Sequence, residues 1–222
     1  MKTSSKLFGG SHILHMTSQE EKKELLEHIF VNTGVALPEK TKQYKLLSQS
    51  NFPILKKGYY ALAVPDDLEI YIYFTRHKGR RMCYLICRKL TPGHIQPKIL
   101  VIFPQCGDDD IYDGTLIEAV RVRANDEKFF ILATDLLWRN GSKNTHESYI
   151  KRLDELGKII SSELTENFSK FPFRIQLVSP YVHLNLLESR LKNLPYKVNR
   201  VLFYPEKRKH DSLYYPLDSS VC

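Results

Sequence analysis

The feature that most constrains the fold is a succession of short strand-like runs separated by turn residues. Aromatic and β-branched residues fill each run, and Pro-Asp, Lys-Gly and Asn-Asp steps interrupt them. Runs of this length, bounded by turn residues, are typical of antiparallel strands joined by hairpins. The sequence therefore predicts strands at residues 59–64, 68–75, 82–87, 98–103, 115–122 and 129–136.

Helical periodicity appears in three other segments. Ser18, followed three residues later by Glu21, predicts the start of a helix that ends at Gly34. Apolar residues at helical spacing predict two more helices further along the chain. Paired strands with helices inserted between them indicate an α+β fold built from antiparallel sheets. The remaining predicted elements are helices over 147–164 and 180–194 and strands over 173–178 and 198–204.

The 222 residues suffice for one domain preceded by an arm. Residues 1 to about 16 are polar and contain Gly9-Gly10, which predicts a flexible tail. Residues 35–57 are mixed and basic, and we expect an irregular lead-in there. We therefore predict an N-terminal tail and helical arm over 1–50 and a single domain over 51–222.

Basic residues outnumber acidic ones by 33 to 25, and the formal net charge is +8. This excess favours a phosphate-rich partner, because cations bound to phosphates release counterions. No apolar run has the roughly 20 residues that a membrane span needs, and the N terminus does not resemble a signal peptide. The four cysteines lack the paired spacing of metal sites. We therefore expect reduced thiols, no metal, no cofactor, no membrane partner, and a location in cytoplasm and nucleus.

Common catalytic motifs are absent from the sequence. It contains no Walker loop, no GxGxxG, no GxSxG and no HExxH. His77 and His210 lie in basic stretches, and we expect both to be solvated rather than catalytic. The acidic run 108–110 has the chemistry to hold a cation, but a solvated loop tip is the preferred interpretation.

Two clusters combine basic residues with features of nucleic-acid binding. Arg76, Lys78 and Arg80 lie two residues apart, so as strand residues they would line one side and neutralise phosphates. Protection of an edge strand by charge is an equally acceptable explanation of this cluster. The second cluster, 207–210, precedes the pair Tyr214-Tyr215. Basic residues beside aromatic ones suit base stacking combined with charge capture.

The most specific pattern lies in two consecutive segments. YDGTLIE at 112–118 is followed by FFILATDLLWRNG at 129–141, and Phe103-Pro104 precedes both. These segments resemble the central motifs of the covalent nucleotidyltransferases, the superfamily of mRNA guanylyltransferases and nucleic-acid ligases. KVNRVLFY at 197–204 resembles a later motif of the same superfamily. The resemblance implies a guanylyltransferase-like nucleotidyltransferase domain.

The active-site motif of that superfamily, K-x-D-G-x-R, is altered here to RHKGRR. Arg76 stands at the position of the lysine that attacks phosphorus, and arginine stays protonated, so it cannot be a nucleophile. Lys78 stands at the aspartate position, and Asn199 and Arg200 replace the aspartate and glycine of the later motif. We therefore expect the fold without an OB-fold domain and without the transfer reaction, and we predict no catalytic residue.

A series of shorter motifs is similar to the cap-binding domain of snurportins, the adaptors that recognise the trimethylguanosine cap of small nuclear RNA. That domain is itself similar to guanylyltransferases and also lacks the nucleophilic lysine. The order and spacing of the motifs hold from about residue 59 to residue 217. The matching segments are VPDDL at 64–68, GRR at 79–81, LLWR at 136–139, LFY at 202–204 and YPL at 215–217.

This resemblance implies a non-catalytic module that binds capped RNA or a cap nucleotide, with trimethylguanosine as the first candidate. It also implies nuclear transport factors as partners in nuclear import. Lys98 matches a phosphate-contacting lysine of the family. The family's stacking tryptophan has no counterpart here, and Tyr214 or Tyr215 is the expected substitute. The predicted cap- and phosphate-binding residues are Arg76, Lys78, Arg80, Arg81, Lys98, Asp113, Glu118, Tyr214 and Tyr215.

Some roles stay open from the sequence alone. Asp113 and Glu118 either sense the guanine edge or the ribose, or they stabilise the hairpin. Two other function classes also remain. One is an active nucleotidyltransferase that uses Lys78 as its nucleophile. The other is a protein-interaction subunit whose nucleotide cleft is vestigial.

Overall fold

The computed structural model of the protein describes residues 1–8, 11–38, 44–65, 67–126, 128–165, 173–207 and 211–217. Three α-helices form in this part of the chain: α1 (Gln19–Thr33), α2 (Tyr149–Lys158) and α3 (Leu184–Leu191). A 3₁₀ helix spans Gln49–Lys57, and a shorter one spans Asp110–Tyr112. The strands are β1 (Thr3–Phe8), β2 (Ser11–Met16), β3 (Lys45–Leu46), β4 (Tyr59–Val64), β5 (Glu69–His77), β6 (Arg80–Cys87), β7 (Ile99–Ile102), β8 (Gln105–Cys106), β9 (Asp113–Arg123), β10 (Phe129–Arg139), β11 (Ser142–Lys143), β12 (Leu164–Thr165), β13 (Arg174–Leu177), β14 (Pro180–Tyr181), β15 (Arg200–Pro205) and β16 (Leu213–Pro216).

These strands form two main sheets. The larger has nine strands in the order β1-β2-β7-β6-β5-β9-β10-β11, and β13 runs parallel to β10 on the same side as β11. The smaller has five strands in the order β14-β4-β15-β16-β3. Strands β8 and β12 pair separately. Most pairings are antiparallel, so the predicted α+β class with antiparallel sheets and inserted helices is confirmed.

The central strand β5 is buried on both faces. Ile70, Ile72 and Phe74 belong to the core that the large sheet shares with the five-stranded sheet and α2. The intervening Tyr71 and Tyr73 belong to a second core, which lies under α1. Side chains that alternate along a strand point to opposite faces, so both faces of the large sheet are covered. Each fully buried aromatic or aliphatic side chain stabilises the fold by about 1.5–3 kcal/mol.

Helix α1 has the ends that the sequence predicts. The Ser18 hydroxyl accepts a hydrogen bond from the Glu21 amide at 3.2 Å, and Gly34 ends the helix with φ 69°. The Glu21 carboxylate does not close a capping box. It accepts from the Lys2 amide at 2.7 Å and pairs with the terminal ammonium of Met1 at 3.1 Å. The start of the helix therefore holds the start of β1.

The flexible tail predicted for residues 1 to about 16 is wrong. Strands β1 and β2 pair along six residues, and β2 joins the edge of the large sheet at β7. Gly9-Gly10, which suggested flexibility, lies outside the described residues. Ile13 and Met16 are buried, so the hairpin contributes to the core and is not a detached segment. The proposed boundary between residues 50 and 51 stays a prediction.

Other predicted elements differ at their ends. The helix predicted to run to residue 164 leaves α-geometry after Lys158 and continues as a π-helical turn over Ile159–Glu163. The helix predicted from residue 180 begins at Leu184, because Pro180 and Tyr181 pair with β4 instead. The lead-in predicted to be irregular contains β3 and the longer 3₁₀ helix.

Helix α2 is fixed to β10 by a buried ion pair. Arg152 donates from Nε and an Nη to the two Asp135 carboxylate oxygens at 2.7 and 3.0 Å, and both side chains are fully buried. The Tyr149 hydroxyl donates to the Thr134 carbonyl at 2.7 Å. Within the described residues, no helix combines the length and the apolar character needed to cross a membrane.

Candidate functional site

The predicted cations and Asp113 fall into two groups at opposite ends of β5. Arg76, Lys78, Arg80, Arg81 and Asp113 lie where β5 turns into β6, at what we call the hairpin-tip end. Lys98 lies beside the start of β5, because the Cys87 amide donates to the Lys98 carbonyl at 2.9 Å. The structure therefore does not bring Lys98 together with the other predicted cations.

The hairpin turn also divides the predicted row of Arg76, Lys78 and Arg80. Lys78 and Gly79 form a two-residue turn with φ values of 51° and 72°, so strand alternation stops there. Arg76 pairs with Arg81 across the hairpin, and Arg80 pairs with His77. Cross-strand partners share a face and neighbours along a strand do not. Arg76 and Arg80 therefore lie on opposite faces, and the prediction of one cationic side is wrong.

Carboxylates surround the hairpin-tip cations. Arg76 Nε donates to Asp113 Oδ1 at 2.6 Å, and its Nη2 donates to the Asp109 carbonyl at 3.2 Å. Arg81 forms an ion pair with the Asp109 side chain. These contacts attach the loop between β7 and β9 to the hairpin. The acidic run 108–110 thus supplies an ion-pair partner for Arg81.

Lys78 forms an ion pair with Glu24 of α1. The hydrogen bond with Glu24 raises the pKa of the Lys78 ammonium, which favours its charged form. A lysine nucleophile must instead lose its proton before it attacks phosphorus. This contact therefore opposes the use of Lys78 as a catalytic nucleophile.

His77 is half-buried and is not the solvated residue predicted from the sequence. Its ring stacks on that of His28 of α1, with centroids 5.4 Å apart, and its Nδ1 lies 3.0 Å from the Tyr84 hydroxyl. The His28 Nε2 lies 3.0 Å from Thr75 Oγ1. Burial lowers the pKa of both histidines. The pair joins α1 to the hairpin in its neutral form, while His210 lies outside the described residues.

The opposite end of the large sheet, where β5 and β7 begin and β6 and β9 end, we call the basic end. The Arg88 amide donates to the Glu69 carbonyl at 3.1 Å, and the Arg121 amide donates to the Leu68 carbonyl at 2.9 Å. The Asn125 amide donates to the Pro195 carbonyl at 2.8 Å, which brings the segment before β15 to the same place. Distant parts of the sequence thus meet at this end.

The two ends differ in their balance of charge. Within the described residues, the strand ends and turns of the basic end carry nine cations and three carboxylates. Six cations and six carboxylates meet at the hairpin-tip end, counting the partners on α1 and after α2. The basic-end cations are Arg88, Lys89, Lys98, Arg121, Arg123, Lys128, Arg174, Lys197 and Arg200, with Asp67, Glu69 and Asp126 as carboxylates. The hairpin-tip set is Arg76, Lys78, Arg80, Arg81, Arg139 and Lys143, with Glu24, Asp108, Asp109, Asp110, Asp113 and Glu163.

Glu69 is the centre of the basic end. Its Oε1 accepts from Arg200 at 3.0 Å, and its Oε2 lies 3.8 Å from an Nη of Arg88. The three side chains are only 7%, 13% and 4% exposed, respectively. Charges buried this deeply stabilise the fold only when their partners remain in place.

The charged side chain of Lys98 lies near the buried thiol of Cys87. Burial raises the pKa of Cys87 to about 11, and the nearby charges of Lys98 and Arg121 oppose that rise. Both cations therefore lie close enough to Cys87 to affect its thiol electrostatically. Lys98 itself is half-buried.

The tyrosine pair of β16 is divided between two faces. Tyr214 pairs with Leu202, two residues after Arg200 on β15, so it shares a face with both. That face also carries Tyr204, whose hydroxyl lies 3.5 Å from the Tyr44 hydroxyl, and the Tyr44 ring lies 5.8 Å from the Arg200 guanidinium. Tyr215 lies on the other face. We call the group of Glu69, Arg200, Tyr44 and Tyr214 the mouth of the two sheets, and Lys98 lies at the same end of the large sheet, two strands away from β5.

Glu118 lies in the interior between the sheets. It is 2% exposed, and its Oε2 accepts from the Tyr204 hydroxyl at 3.3 Å. Burial, followed by the neighbouring Tyr44 and Glu118, raises the pKa of Tyr204. Among the two roles left open for Glu118, these contacts agree with the structural one. Asp113 is exposed at the hairpin-tip end and pairs with Arg76.

The two ends are too far apart to act on one small ligand. Glu69 and Arg76 are seven residues apart on β5, which corresponds to about 23 Å along an extended strand. Within the described residues, no group of three or more His, Cys, Asp or Glu side chains is placed to hold a metal ion. The mouth and the basic end are therefore the candidate site, and they offer cations and aromatic rings.

Sequence reasoning missed several residues of this site. Tyr44, Glu69, Arg121, Arg123 and Arg174 were not predicted as binding residues. The alternation VRVR at the end of β9 did carry a signal, because Arg121 and Arg123 share one face of that strand. No signal in the sequence alone places Arg174 or Tyr44 near them. No protein-family model and no curated protein matches the chain.

Proposed function

We propose that the protein is a non-catalytic module that binds the methylated guanosine cap of an RNA at the mouth. The observation that carries the proposal is the Arg200 guanidinium 5.8 Å from the Tyr44 ring, on the face of the five-stranded sheet that also carries Tyr214. Aromatic rings stack on bases, and cations bind phosphates. The motif resemblance supports the same class of ligand, with trimethylguanosine as the first candidate.

In this proposal the phosphate bridge of the cap lies against Lys98 and Arg200. The base stacks on Tyr214, the half-buried ring on the inner face of β16. Methylation at N7 gives the guanine a positive charge, which strengthens its attraction to an aromatic ring. Glu69 keeps Arg200 in position through the 3.0 Å hydrogen bond. The fold that provides this mouth would be a guanylyltransferase-like domain, in which two antiparallel sheets face each other.

The hairpin-tip cations have a different role in this proposal. Arg76, Lys78 and Arg81 each pair with a carboxylate, as Arg200 does with Glu69, so a phosphate would compete with carboxylates at both ends. The hairpin-tip cations attach α1 and the loop before β9 to the sheet. The proposal therefore transfers the phosphate-binding role predicted for them to the basic end, where Lys98 already lies.

The absence of catalysis is part of the proposal. Arg76 cannot act as a nucleophile because it stays protonated, and Lys78 is held as an ammonium by Glu24. A trimethylguanosine ligand would make nuclear transport factors natural partners, with the protein present in cytoplasm and nucleus. Transfer of label from GTP to the protein, lost in Lys78→Ala, would support the nucleotidyltransferase alternative instead.

The test is a fluorescence titration with trimethylated, monomethylated and unmethylated cap dinucleotides at two salt concentrations. We expect tighter binding of a methylated cap and weaker binding at high salt. Tyr214→Ala should weaken binding by about 1–3 kcal/mol, or roughly 5- to 150-fold. Tyr215→Ala is the matched control on the opposite face of the same strand and should have little effect. Equal failure to bind all three dinucleotides at millimolar concentration would overturn the proposal.

A further inference from the structure

Helix α1 buries little apolar surface of its own. Four of its side chains are buried, and only two of these, Leu25 and Ile29, are apolar, while Leu26 is half-buried. The sheet beneath the helix provides most of the aromatic and aliphatic side chains of the second core. Most of the stability of a helix in a protein comes from the packing of its apolar face. The polar contacts of α1 therefore have a large share in holding it on the sheet.

These polar contacts centre on the pair of His28 and His77. The two half-buried rings are stacked, with centroids 5.4 Å apart and an angle of 28° between their planes. His28 Nε2 lies 3.0 Å from Thr75 Oγ1, and His77 Nδ1 lies 3.0 Å from the Tyr84 hydroxyl. A neutral imidazole both donates and accepts hydrogen bonds, whereas an imidazolium only donates. Two imidazolium rings at this separation would also repel each other.

The charged groups around the pair balance one another. Two carboxylates of α1 face two cations of the hairpin, and two buried phenols lie beside the rings. These groups are Glu21 and Glu24, Lys78 and Arg80, and Tyr73 and Tyr84. Arg76 lies on the opposite face of the hairpin and pairs with Asp113. Protons added to the histidines would therefore leave a net positive charge in a half-buried place, and burial lowers the pKa of both rings.

We infer that α1 is a pH-sensitive cover: protons bound by His28 and His77 loosen the helix and expose the second core beneath it. The closed form holds both rings neutral and the open form exposes them to water, so the open form binds protons more readily. The cover is closed above the ordinary histidine pKa of about 6.5 and opens more often as the pH falls below it. The inference does not depend on the proposed function.

Hydrogen exchange followed by mass spectrometry measures the opening of α1. The wild-type protein is labelled between pH 8 and pH 5, and each rate is corrected for the intrinsic effect of pH on amide exchange. Opening of α1 should increase by up to about tenfold per pH unit for each proton bound. Peptides of α2, which the buried pair of Arg152 and Asp135 fixes to β10, should keep their protection. Loss of protection in α1 and α2 together, or in neither, would overturn the inference.

Variants identify the groups that titrate. The double variant His28→Gln, His77→Gln keeps side chains that form hydrogen bonds and should lose the pH dependence of α1. His94→Gln, which changes an exposed histidine, is the matched control and should keep it. A pH dependence that survives in the double variant would overturn the inference, because another group would then titrate.

Nuclear magnetic resonance of the wild-type protein gives a second measurement that needs no variant. The ring protons of His28 and His77 should titrate at a lower pH than those of the exposed His94. Titration of all three histidines at the same pH would also overturn the inference.

Discussion

The two ends of the nine-stranded sheet use similar residues in different ways. At the hairpin-tip end, the ion pair of Arg76 and Asp113 is exposed by 44% and 45%, and cations and carboxylates are equal in number among the described residues. At the basic end, Glu69 and its arginines are largely buried, and among the residues that the structure describes there cations exceed carboxylates by six.

This difference shows why counting basic residues in a sequence can point to the wrong place. The hairpin RHKGRR is the densest basic segment between residues 59 and 204, yet carboxylates distant in sequence neutralise much of it. The cations of the basic end come from several strand ends that are far apart in the sequence. A phosphate-bearing ligand is attracted to the local excess of charge and not to the density of basic residues along the chain.

The largest expected effect is on stability at the basic end. Glu69→Ala leaves the buried guanidiniums of Arg88 and Arg200 without this carboxylate, and loss of one member of a buried ion pair costs about 3–5 kcal/mol. Urea unfolding measures the change. Asp113→Ala, which removes an exposed carboxylate at the other end, is the comparison and should cost about 1 kcal/mol or less. An equal loss of unfolding free energy in the two variants would contradict the expectation that the buried ion pairs of the basic end stabilise the fold more than the exposed pair of the hairpin-tip end.

The histidine pair gives the hairpin-tip end a pH dependence. Burial lowers the pKa of His28 and His77 in the folded state, so the unfolded chain binds more protons as the pH falls below the ordinary value of about 6.5. The contribution of the two histidines to the free energy of unfolding is therefore fully present above a pH of about 6.5, and it decreases as the pH falls toward their folded-state pKa. Between pH 8 and pH 5, the free energy of unfolding should decrease less in His28→Gln than in the wild type.

The control for this experiment is His94→Gln, which changes an exposed histidine in the turn before β7. Its pH profile should match that of the wild type. The other charged groups near the pair are Glu21, Glu24 and Lys78, and they remain in all three proteins. A wild-type profile that is flat from pH 8 to pH 5 would show that the pair does not join α1 to the hairpin in its neutral form.

The smallest effect belongs to the exposed ion pair. A double-mutant cycle with Arg76→Met and Asp113→Asn should give a coupling free energy of about 0.2–1 kcal/mol, because water screens exposed charges. High salt should reduce the coupling further. A coupling free energy of several kcal/mol would mean that this exposed ion pair stabilises the fold as much as the buried ion pairs of Glu69.

The sequence predicted local structure well where local chemistry decides it. Ser18 and Gly34 mark the ends of α1, and the alternation in the middle of the chain identified β4, β5, β6, β9 and β10. It failed for β1 and β2, since Gly-Gly between two strand-like runs was taken as flexibility although it is also a hairpin signal. The position of Pro180 in β14 depends on pairing with β4, which local sequence does not determine.

The candidate site was predicted only in part, for a physical reason. Lys98 and Tyr214 were predicted as ligand contacts, which stays a prediction; Tyr214 lies on the inner face of β16 and Lys98 lies beside the start of β5. Glu69 and Arg200 meet at the mouth across 131 residues of sequence, through the packing of two sheets. The faces of Tyr214 and Tyr215 depend on strand register, and a shift by one residue would exchange them.

The most direct test of the account is to map where RNA touches the protein. A capped RNA of about ten nucleotides carrying photoreactive bases is bound and crosslinked, and the attached peptides are identified by mass spectrometry. We expect crosslinks at Tyr214 and none at Tyr215, which lies on the opposite face of the same strand. Crosslinks confined to the hairpin over 76–81 and the loop over 103–113 would contradict the account and make the hairpin-tip end the binding site.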